Sequence, residues 1–368
     1  MELSERIVRY KAIEEYRDRP LIVYATSTRF GCQAKMAGDA VREFIDQIHQ
    51  ITDGKQVDIL LHSTGGDALT AWKLMSILRE RFDKVTVLVP FMAFSAATIF
   101  AMGADEIVMH PHASLGPIDP QITVNSPQGS RSFAFEDVGA FLRFLADEVR
   151  ITEQPHSTAV VKQLFEVVDP LIVGAAKRAS ELSSSVGERL LRMHMRGADG
   201  EQKARQLAQN LNKSFFAHGD AVSRSRARDL KLKIATDDEK LEGLLWDAFV
   251  GIESWMELRV PFQPFDVLMK DPSAAAELKP SAPLVLPANT PPNVAQQLWQ
   301  QAAQQALQNL QGPGIDVAFQ LVNAVIESPR LASENRTEGT LSACRKVGGD
   351  ITVARTDIRA VWRNVPIP

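Results

Sequence analysis

Two apolar runs separated by a helical segment constrain the fold of this chain most strongly. Val57-Asp58-Ile59-Leu60-Leu61 and Val85-Thr86-Val87-Leu88-Val89 have the β-branched, apolar character of buried parallel strands. Between them, apolar residues recur at helical spacing, namely Leu69, Trp72, Met75 and Leu78. The sequence therefore predicts a βαβ unit with a right-handed crossover, and with it an α/β fold.

Each predicted strand is followed by residues that are suited to acyl-transfer chemistry. After the first strand, Gly65-Gly66 allows a turn with exposed N–H groups, which can form an anion-binding nest. Ser95 follows thirty residues after Gly65 and opens an alanine-rich helical run. A hydroxyl there lies near N–H groups that favour an oxyanion. A helix cap and a simple turn are the commoner uses of these residues, so the prediction rests on their order along the chain.

The ordered set continues with Gly103-Ala104-Asp105-Glu106-Ile107-Val108-Met109 and Leu115-Gly116-Pro117-Ile118-Asp119-Pro120-Gln121. With these segments it resembles the Clp-protease/crotonase superfamily, in particular the signal peptide peptidase A-like proteases and their relatives, the serine dehydrogenase proteinases. The matching motifs run from about Arg19 to Gln121, with looser similarity to about Leu245. The resemblance implies an α/β fold of stacked βαβ units, a Clp-protease/crotonase-like β-α superhelix, with a helical and Pro-rich C-terminal extension.

The resemblance also implies roles for individual residues. Ser95 is the expected nucleophile, and the N–H groups of Gly65, Gly66 and Ala96 are the expected oxyanion hole. Many relatives carry proline where this chain has Thr64, a departure that bears on the stiffness of the loop.

A nucleophilic serine needs a general base, and the superfamily uses either a Ser-His-Asp triad or a Ser-Lys dyad. The triad histidine would lie near residues 116–118, where this chain has none. His110 and His112 come a few residues too early and flank Pro111 in a predicted turn. We interpret both as loop histidines, with a role in the site as the alternative.

For a dyad, Lys162 is the first lysine after Ser95, and its offset is similar to that of the lysine in signal peptide peptidase A-like enzymes. A solvated helix position is the competing interpretation of Lys162. Lys177 is the next candidate, and His218 is interpreted as a turn residue rather than a base.

Composition favours an enzyme and excludes several other classes. The chain has 368 residues, 45% of them hydrophobic, and can bury a full core. Its net charge of −4 argues against nucleic-acid binding. Only Cys32 and Cys344 occur, which argues against zinc and a disulfide framework. No Gly-x-Gly-x-x-Gly follows a strand, so we expect no nicotinamide, and no cofactor or metal of any kind.

The N-terminal residues Glu2-Leu3-Ser4-Glu5-Arg6 are charged where a signal peptide would need an apolar core, and no 18-residue apolar run occurs elsewhere. We therefore expect a cytoplasmic protein without a membrane partner. No P-loop motif occurs, so an unfolding motor would be a separate chain.

Three segments are predicted. Residues 1–260 form a peptidase domain, residues 261–293 an extended connector with eight prolines, and residues 294–368 a helical segment plus a short β-hairpin turning at Gly348-Gly349. Within the first segment, one long helix is predicted over about residues 160–195.

The function predicted from these features is a serine peptidase, a hydrolase that acts on peptide or protein substrates through an acyl-enzyme on Ser95. Two alternatives stay open: a non-catalytic oligomeric scaffold that retains the fold, and a crotonase-like enzyme acting on acyl-thioesters. The resemblance implies a homo-oligomer in each case.

Overall fold

A computed structural model describes residues 1–126, 129–213, 221–278, 290–309, 314–345 and 351–367. The predicted roles of His218 and of the Gly348-Gly349 turn fall outside these residues. The helices are α1 Leu3–Arg17, α2 Ala40–His49, α3 Ala68–Arg81, α4 Ala96–Met102, α5 Phe135–Asp147, α6 Gln154–Val167, α7 Pro170–Arg192, α8 Ala198–Lys213, α9 Arg224–Asp229, α10 Glu239–Trp255, α11 Pro264–Lys270, α12 Pro272–Leu278 and α13 Pro292–Asn309. The strands are β1 Leu21–Thr26, β2 Gln56–His62, β3 Lys84–Val89, β4 Met92–Ala93, β5 Glu106–Met109, β6 Ser114–Leu115, β7 Gln121–Ser126, β8 Gly129–Ala134, β9 Val222–Ser223, β10 Ile315–Glu327, β11 Ala332–Arg345 and β12 Ile351–Val365.

The main sheet has the strand order β12-β11-β10-β1-β2-β3-β5. Strands β1, β2, β3 and β5 are parallel, with Ile59 opposite Val87 and Val87 opposite Ile107. The predicted βαβ unit is therefore confirmed as β2, α3 and β3. Because the strand ends meet at one edge of the sheet, the segments after β2 and β3 come together there.

Both faces of the parallel strands are covered, as the continuous apolar runs predict. Ile59 and Leu61 pack into a large core with α2, α3, α4 and α7. Leu60, which points the other way, packs with Leu88 and with α1 and α10. The α/β fold predicted from the sequence is confirmed.

The C-terminal part differs from the predicted short hairpin. Strands β10, β11 and β12 are 13, 14 and 15 residues long and pair in an antiparallel manner. Strand β10 also pairs with β1, with Val23 opposite Glu327, so these strands extend the main sheet. Pairing partners 300 residues away leave no local signal in the sequence. The domain boundaries at 260 and 293 stay a prediction.

Two helical predictions also need correction. The single helix expected over 160–195 is two helices, because Pro170 ends the first and occupies the first turn of α7. The connector expected to be extended contains α11 and α12, each of which begins with proline. Proline is tolerated at that position since its missing N–H would have no intrahelical partner.

Within the described residues, no helix combines the length and the apolar composition that are needed to cross a membrane.

Candidate active site

The loop after β2 holds two glycines in conformations that other residues rarely adopt. Gly65 has a φ of 96° and Gly66 a φ of 154°. A Cβ on Gly66 would lie 2.2 Å from the carbonyl oxygen of Met36, so the loop can pass Met36 only without a side chain. Met36 N–H donates to Gly65 O at 2.7 Å, and Asp67 N–H donates to Met36 O at 2.9 Å. These bonds hold the loop against residues 35–37.

The buried hydroxyl groups of Thr26 and Ser63 hold the Gly-Gly loop in place through hydrogen bonds. Ser63 Oγ accepts a hydrogen bond from Gly65 N–H at 3.0 Å and another from Thr26 Oγ1 at 2.8 Å. Both hydroxyl-bearing residues are fully buried. The Gly65 N–H is therefore engaged and is not free to meet an oxyanion while this bond stands.

Ser95 lies at the start of α4 with φ 52° and ψ −120°, a strained conformation for a residue with a side chain. Its hydroxyl does not cap the helix. Thr98 fixes the turn, since its Oγ1 donates to Ala93 O at 2.6 Å and accepts from Gly116 N–H at 3.0 Å. The capping role that we gave as the simpler alternative for Ser95 is thus not what its side chain does.

The N–H groups of Gly66 and Ala96, two residues that line the same cleft as Ser95, have no acceptor among the described residues. Gly65 lies against Ser95 and Ala96, since a Cβ on Gly65 would lie 2.8 Å from Ser95 Cβ and 2.8 Å from the Ala96 nitrogen. Such an arrangement suits an oxyanion beside the Ser95 hydroxyl.

These groups line a half-open cleft of about 470 Å³. Its walls come from residues 35–37, residues 64–68, the start of α4, Pro120-Gln121 and α7. Asp67 also lines the cleft, but its carboxylate accepts from the N–H groups of Leu69 and Thr70 and so caps α3.

The predicted lysines lie elsewhere in the single chain. Lys162 is an exposed residue of α6 and does not line the cleft. Lys177 pairs with Glu181 at 2.9 Å and borders a different cavity. Lys35 is the lysine that lines the cleft, and sequence reasoning did not single it out.

The histidines near the sheet edge also stay out of the cleft. His110 stacks on Trp246 of α10 with ring centroids 5.0 Å apart, and its Nδ1 accepts from His112 N–H at 3.1 Å. Burial, and then the neighbouring His112, lowers the pKa of His110. Both act as loop residues against α10, as we interpreted them from the sequence.

Among the described residues, no group of three or more His, Cys, Asp or Glu side chains is arranged to hold a metal ion. Sequence reasoning also missed Ser63, Thr26 and Met36. The short spacing Ser63-Thr64-Gly65 is a signal that could have identified Ser63, but the approach of Met36 depends on tertiary structure.

A parallel sheet that brings a strained serine against a Gly-Gly loop defines the candidate site, and comparison with known proteins identifies the family of the chain. Residues 36–245 match the family of ClpP-like SDH-type serine proteinases, and because the match spans more than half of the chain, the chain belongs to this family. This confirms the resemblance inferred from the motifs.

Two curated proteins of Methanocaldococcus jannaschii match over 195 residues, the uncharacterized proteins MJ1495 at 26% identity and MJ0137 at 27% identity. The match spans 53% of this chain and 57% and 59% of the two relatives. The chain thus covers little more than half the length of these relatives.

Three solved structures are similar to this chain at low sequence identity. One is a mutant of the 1510-N membrane-bound stomatin-specific protease in complex with a substrate peptide. Its sequence is 16% identical, the TM-score is 0.35, and the alignment covers 56% of this chain and 74% of that one. ClpP1 from Listeria monocytogenes has 11% identity and a TM-score of 0.33, covering 64% of this chain and 99% of that one. The ClpP catalytic domain from Plasmodium falciparum has 10% identity and a TM-score of 0.34, covering 65% and 93%.

Proposed function

We propose that this chain is a serine peptidase that hydrolyses peptide bonds through an acyl-enzyme on Ser95. The observation that carries the proposal is the strained Ser95 at the start of α4, in a cleft beside two N–H groups without acceptors. Membership of a serine proteinase family supports it.

In the proposed reaction, Ser95 Oγ forms a bond to the carbonyl carbon of the substrate as a base takes its proton. The Gly66 and Ala96 N–H groups then donate to the oxyanion. The C–N bond breaks as the base returns the proton to the leaving amine, and water later hydrolyses the acyl-enzyme by the same steps. Loss of one oxyanion donor typically costs about 3 kcal/mol of transition-state stabilisation. Gly65 contributes the turn, since its N–H is held by Ser63.

We assign the base to Lys162, and we propose that it reaches Ser95 in a homo-oligomer. Helix α6, which carries Lys162, buries none of its residues from Gln154 to Glu166. Helices gain most of their stability from packing an apolar face, so a second copy is a fitting partner for α6. The neutral amine is the form that can accept the Ser95 proton, and burial of a lysine in an apolar interface favours that form.

A fluorophosphonate probe tests the nucleophile and the base together. The full chain is treated with the probe, and the labelled residue is mapped by mass spectrometry. We expect labelling at Ser95 that is absent in Ser95→Ala and at least tenfold slower in Lys162→Ala. Lys177→Ala is the matched control, because Lys177 already pairs with Glu181, and it should label at the normal rate.

Other outcomes would redirect or overturn the proposal. Slow labelling of Lys35→Ala with normal labelling of Lys162→Ala would move the base to the lysine that lines the cleft. Absence of labelling in the wild-type chain would overturn the peptidase assignment. It would instead favour the function of a non-catalytic scaffold. Among the described residues, no histidine lines the cleft, so a scaffold without a histidine base is consistent with the structure.

A mixing experiment tests whether the site is shared between copies. Ser95→Ala and Lys162→Ala chains are mixed and allowed to exchange subunits, and hydrolysis of a fluorogenic peptide is measured. If Lys162 acts across an interface, the mixture recovers part of the activity that each variant lacks. No recovery, despite exchange shown by native mass spectrometry, would rule out a shared site.

A further inference from the structure

A second cavity, of about 460 Å³, adjoins the candidate cleft. Lys35 and Ala37 border both spaces, so the segment 35–37 forms a common wall. The far walls come from β10, β11 and β12, which lie outside the residues matched to the family. This cavity is therefore built jointly by the catalytic sheet and the C-terminal strands.

The carboxylate of Asp39 is held in a fixed orientation in this cavity. Its Oδ2 accepts from Asn335 Nδ2 at 3.1 Å and from Trp362 Nε1 at 2.8 Å. Asp39 directly precedes α2, where an aspartate usually caps the helix, but its side chain makes no capping bond. In the described structure no group donates to Oδ1, which leaves one carboxylate oxygen available.

The charges in the cavity are unevenly paired. Asp357 is neutralised by Arg355, with Nε to Oδ1 at 2.6 Å and Nη2 to Oδ2 at 3.0 Å. Asp39 is exposed and forms no ion pair with any described cation, and the exposed Lys35 of the same cavity forms none with a described carboxylate. The rings of Trp362 and Tyr24 also line it. An unpaired, oriented carboxylate beside aromatic rings suits a guanidinium or ammonium group.

We propose that this cavity is a specificity pocket that takes an arginine or lysine side chain of the peptide substrate, with Asp39 as its counter-charge. The proposal rests on the proposed peptidase function, because the common wall at residues 35–37 places the pocket beside the cleft that would hold the scissile bond. Lys35 and Ala37, which border both spaces, are exposed, so a side chain of a bound peptide would reach the pocket across them.

Asp39 could instead serve only to tie α2 to β11 and β12 through Asn335 and Trp362. Asp39→Asn separates the two roles, since the amide oxygen can still accept both hydrogen bonds but carries no charge. The matched control is Asp46→Asn, which removes a carboxylate of α2 that pairs with Arg42 at 2.9 Å and lines neither cavity.

The test uses pairs of internally quenched peptides that are identical except for arginine or citrulline, scanned across the positions around the scissile bond. Wild-type chain should hydrolyse the arginine member at least tenfold faster, in kcat/KM, at one position. Asp39→Asn should reduce that ratio below about twofold, and Asp46→Asn should retain it. A wild-type ratio near one at every position, or an unchanged ratio in Asp39→Asn, would overturn the pocket.

A binding measurement tests the pocket even if the chain proves not to be a peptidase. Fluorescent arginine and citrulline peptides are titrated into full-length Ser95→Ala and into Ser95→Ala with Asp39→Asn. If no peptide is hydrolysed by the wild-type chain, the peptidase function fails, but a tenfold binding preference that Asp39→Asn abolishes still supports the pocket. Equal binding of both peptides by Ser95→Ala overturns it.

Discussion

Gly65 and Ser95 approach each other so closely that a Cβ on Gly65 would lie 2.8 Å from Ser95 Cβ and 2.4 Å from Phe94 O. The loop after β2 and the start of α4 are therefore in direct backbone contact. A glycine at this point is a steric requirement of the cleft as well as a requirement of the turn.

Gly65→Ala should abolish peptide hydrolysis, because either the loop or the Ser95 turn must shift. We expect a loss of at least a hundredfold in kcat/KM on a fluorogenic peptide, with a lower thermal unfolding temperature. Gly54→Ala is the control: Gly54 also has a positive φ, 85°, but a Cβ there would meet nothing within 4 Å. It should cost about 1 kcal/mol of stability and leave kcat/KM unchanged. Equal effects on kcat/KM would contradict the role of the contact.

Ser63→Ala should reduce kcat without a matching change in KM, because the Gly65 N–H loses the acceptor that orients the loop. Two buried donors lose their partner, at a cost of about 2 kcal/mol in the free energy of unfolding. Steady-state kinetics and urea unfolding measure the two effects. Thr26→Val removes the donor to Ser63 but leaves the bond to Gly65, so it should lower stability and spare kcat. A normal kcat in Ser63→Ala would show that this bond does not position the loop.

Arg6 and Glu327 should stabilise the fold only as a pair. Arg6 Nε donates to Glu327 Oε2 at 3.1 Å, and Tyr10 OH donates to the same oxygen at 2.7 Å, all in a fully buried setting. Arg6→Met leaves the Glu327 carboxylate buried without its cation and should cost about 3–5 kcal/mol in urea unfolding. Adding Glu327→Met should restore part of that loss. A double variant less stable than either single variant would contradict this account.

His62 should make stability depend on pH. The ring is fully buried between Phe91 and Phe249, and neither ring nitrogen has a partner among the described residues. Burial lowers the pKa of His62 from 6.5 to about 3. Below pH 6.5, His62 is protonated in the unfolded chain but stays neutral in the native chain. The contribution of His62 to the free energy of unfolding is therefore complete above pH 6.5 and falls by about 1.4 kcal/mol per pH unit toward pH 3.

The contribution of His62 is isolated by comparison with His62→Leu, which has no titrating ring. Urea unfolding is measured for both proteins at pH 7.5, 6.5, 5.5 and 4.5. Other groups titrate in both, so the difference between the two curves should grow in favour of the variant as pH falls. Parallel curves would show that His62 does not set the acid sensitivity.

The local parts of the site could be predicted from the sequence because short-range rules govern them. Apolar runs predicted β2 and β3, and helical periodicity predicted α3 between them. Glycine pairs and a serine before an alanine-rich run identified Gly65, Gly66 and Ser95, which the structure brings into one cleft. Parallel strands end at the same edge of a sheet, which explains why residues that follow β2 and β3 become neighbours.

Other features depend on contacts between distant parts of the chain. Gly65 N–H donates a hydrogen bond to Ser63 Oγ, whereas Gly66 N–H has no acceptor among the described residues. The spacing of the two glycines in the sequence does not predict which N–H remains free. The position of Lys162 also could not be derived, since Pro170 divides the predicted helix and α6 contributes no residue to the cleft.

The sequence by itself determined the α/β class and the family and singled out Ser95 as the candidate nucleophile, because strand and helix periodicity and a short ordered motif are properties of neighbouring residues. Only the tertiary structure decided that β10 pairs with β1, that Met36 closes the loop, and that Asp39 faces Asn335 and Trp362 across a second cavity. These contacts join residues up to about 320 positions apart. Hydrophobic burial and hydrogen-bond pairing of the whole chain select them, and no local pattern encodes that selection.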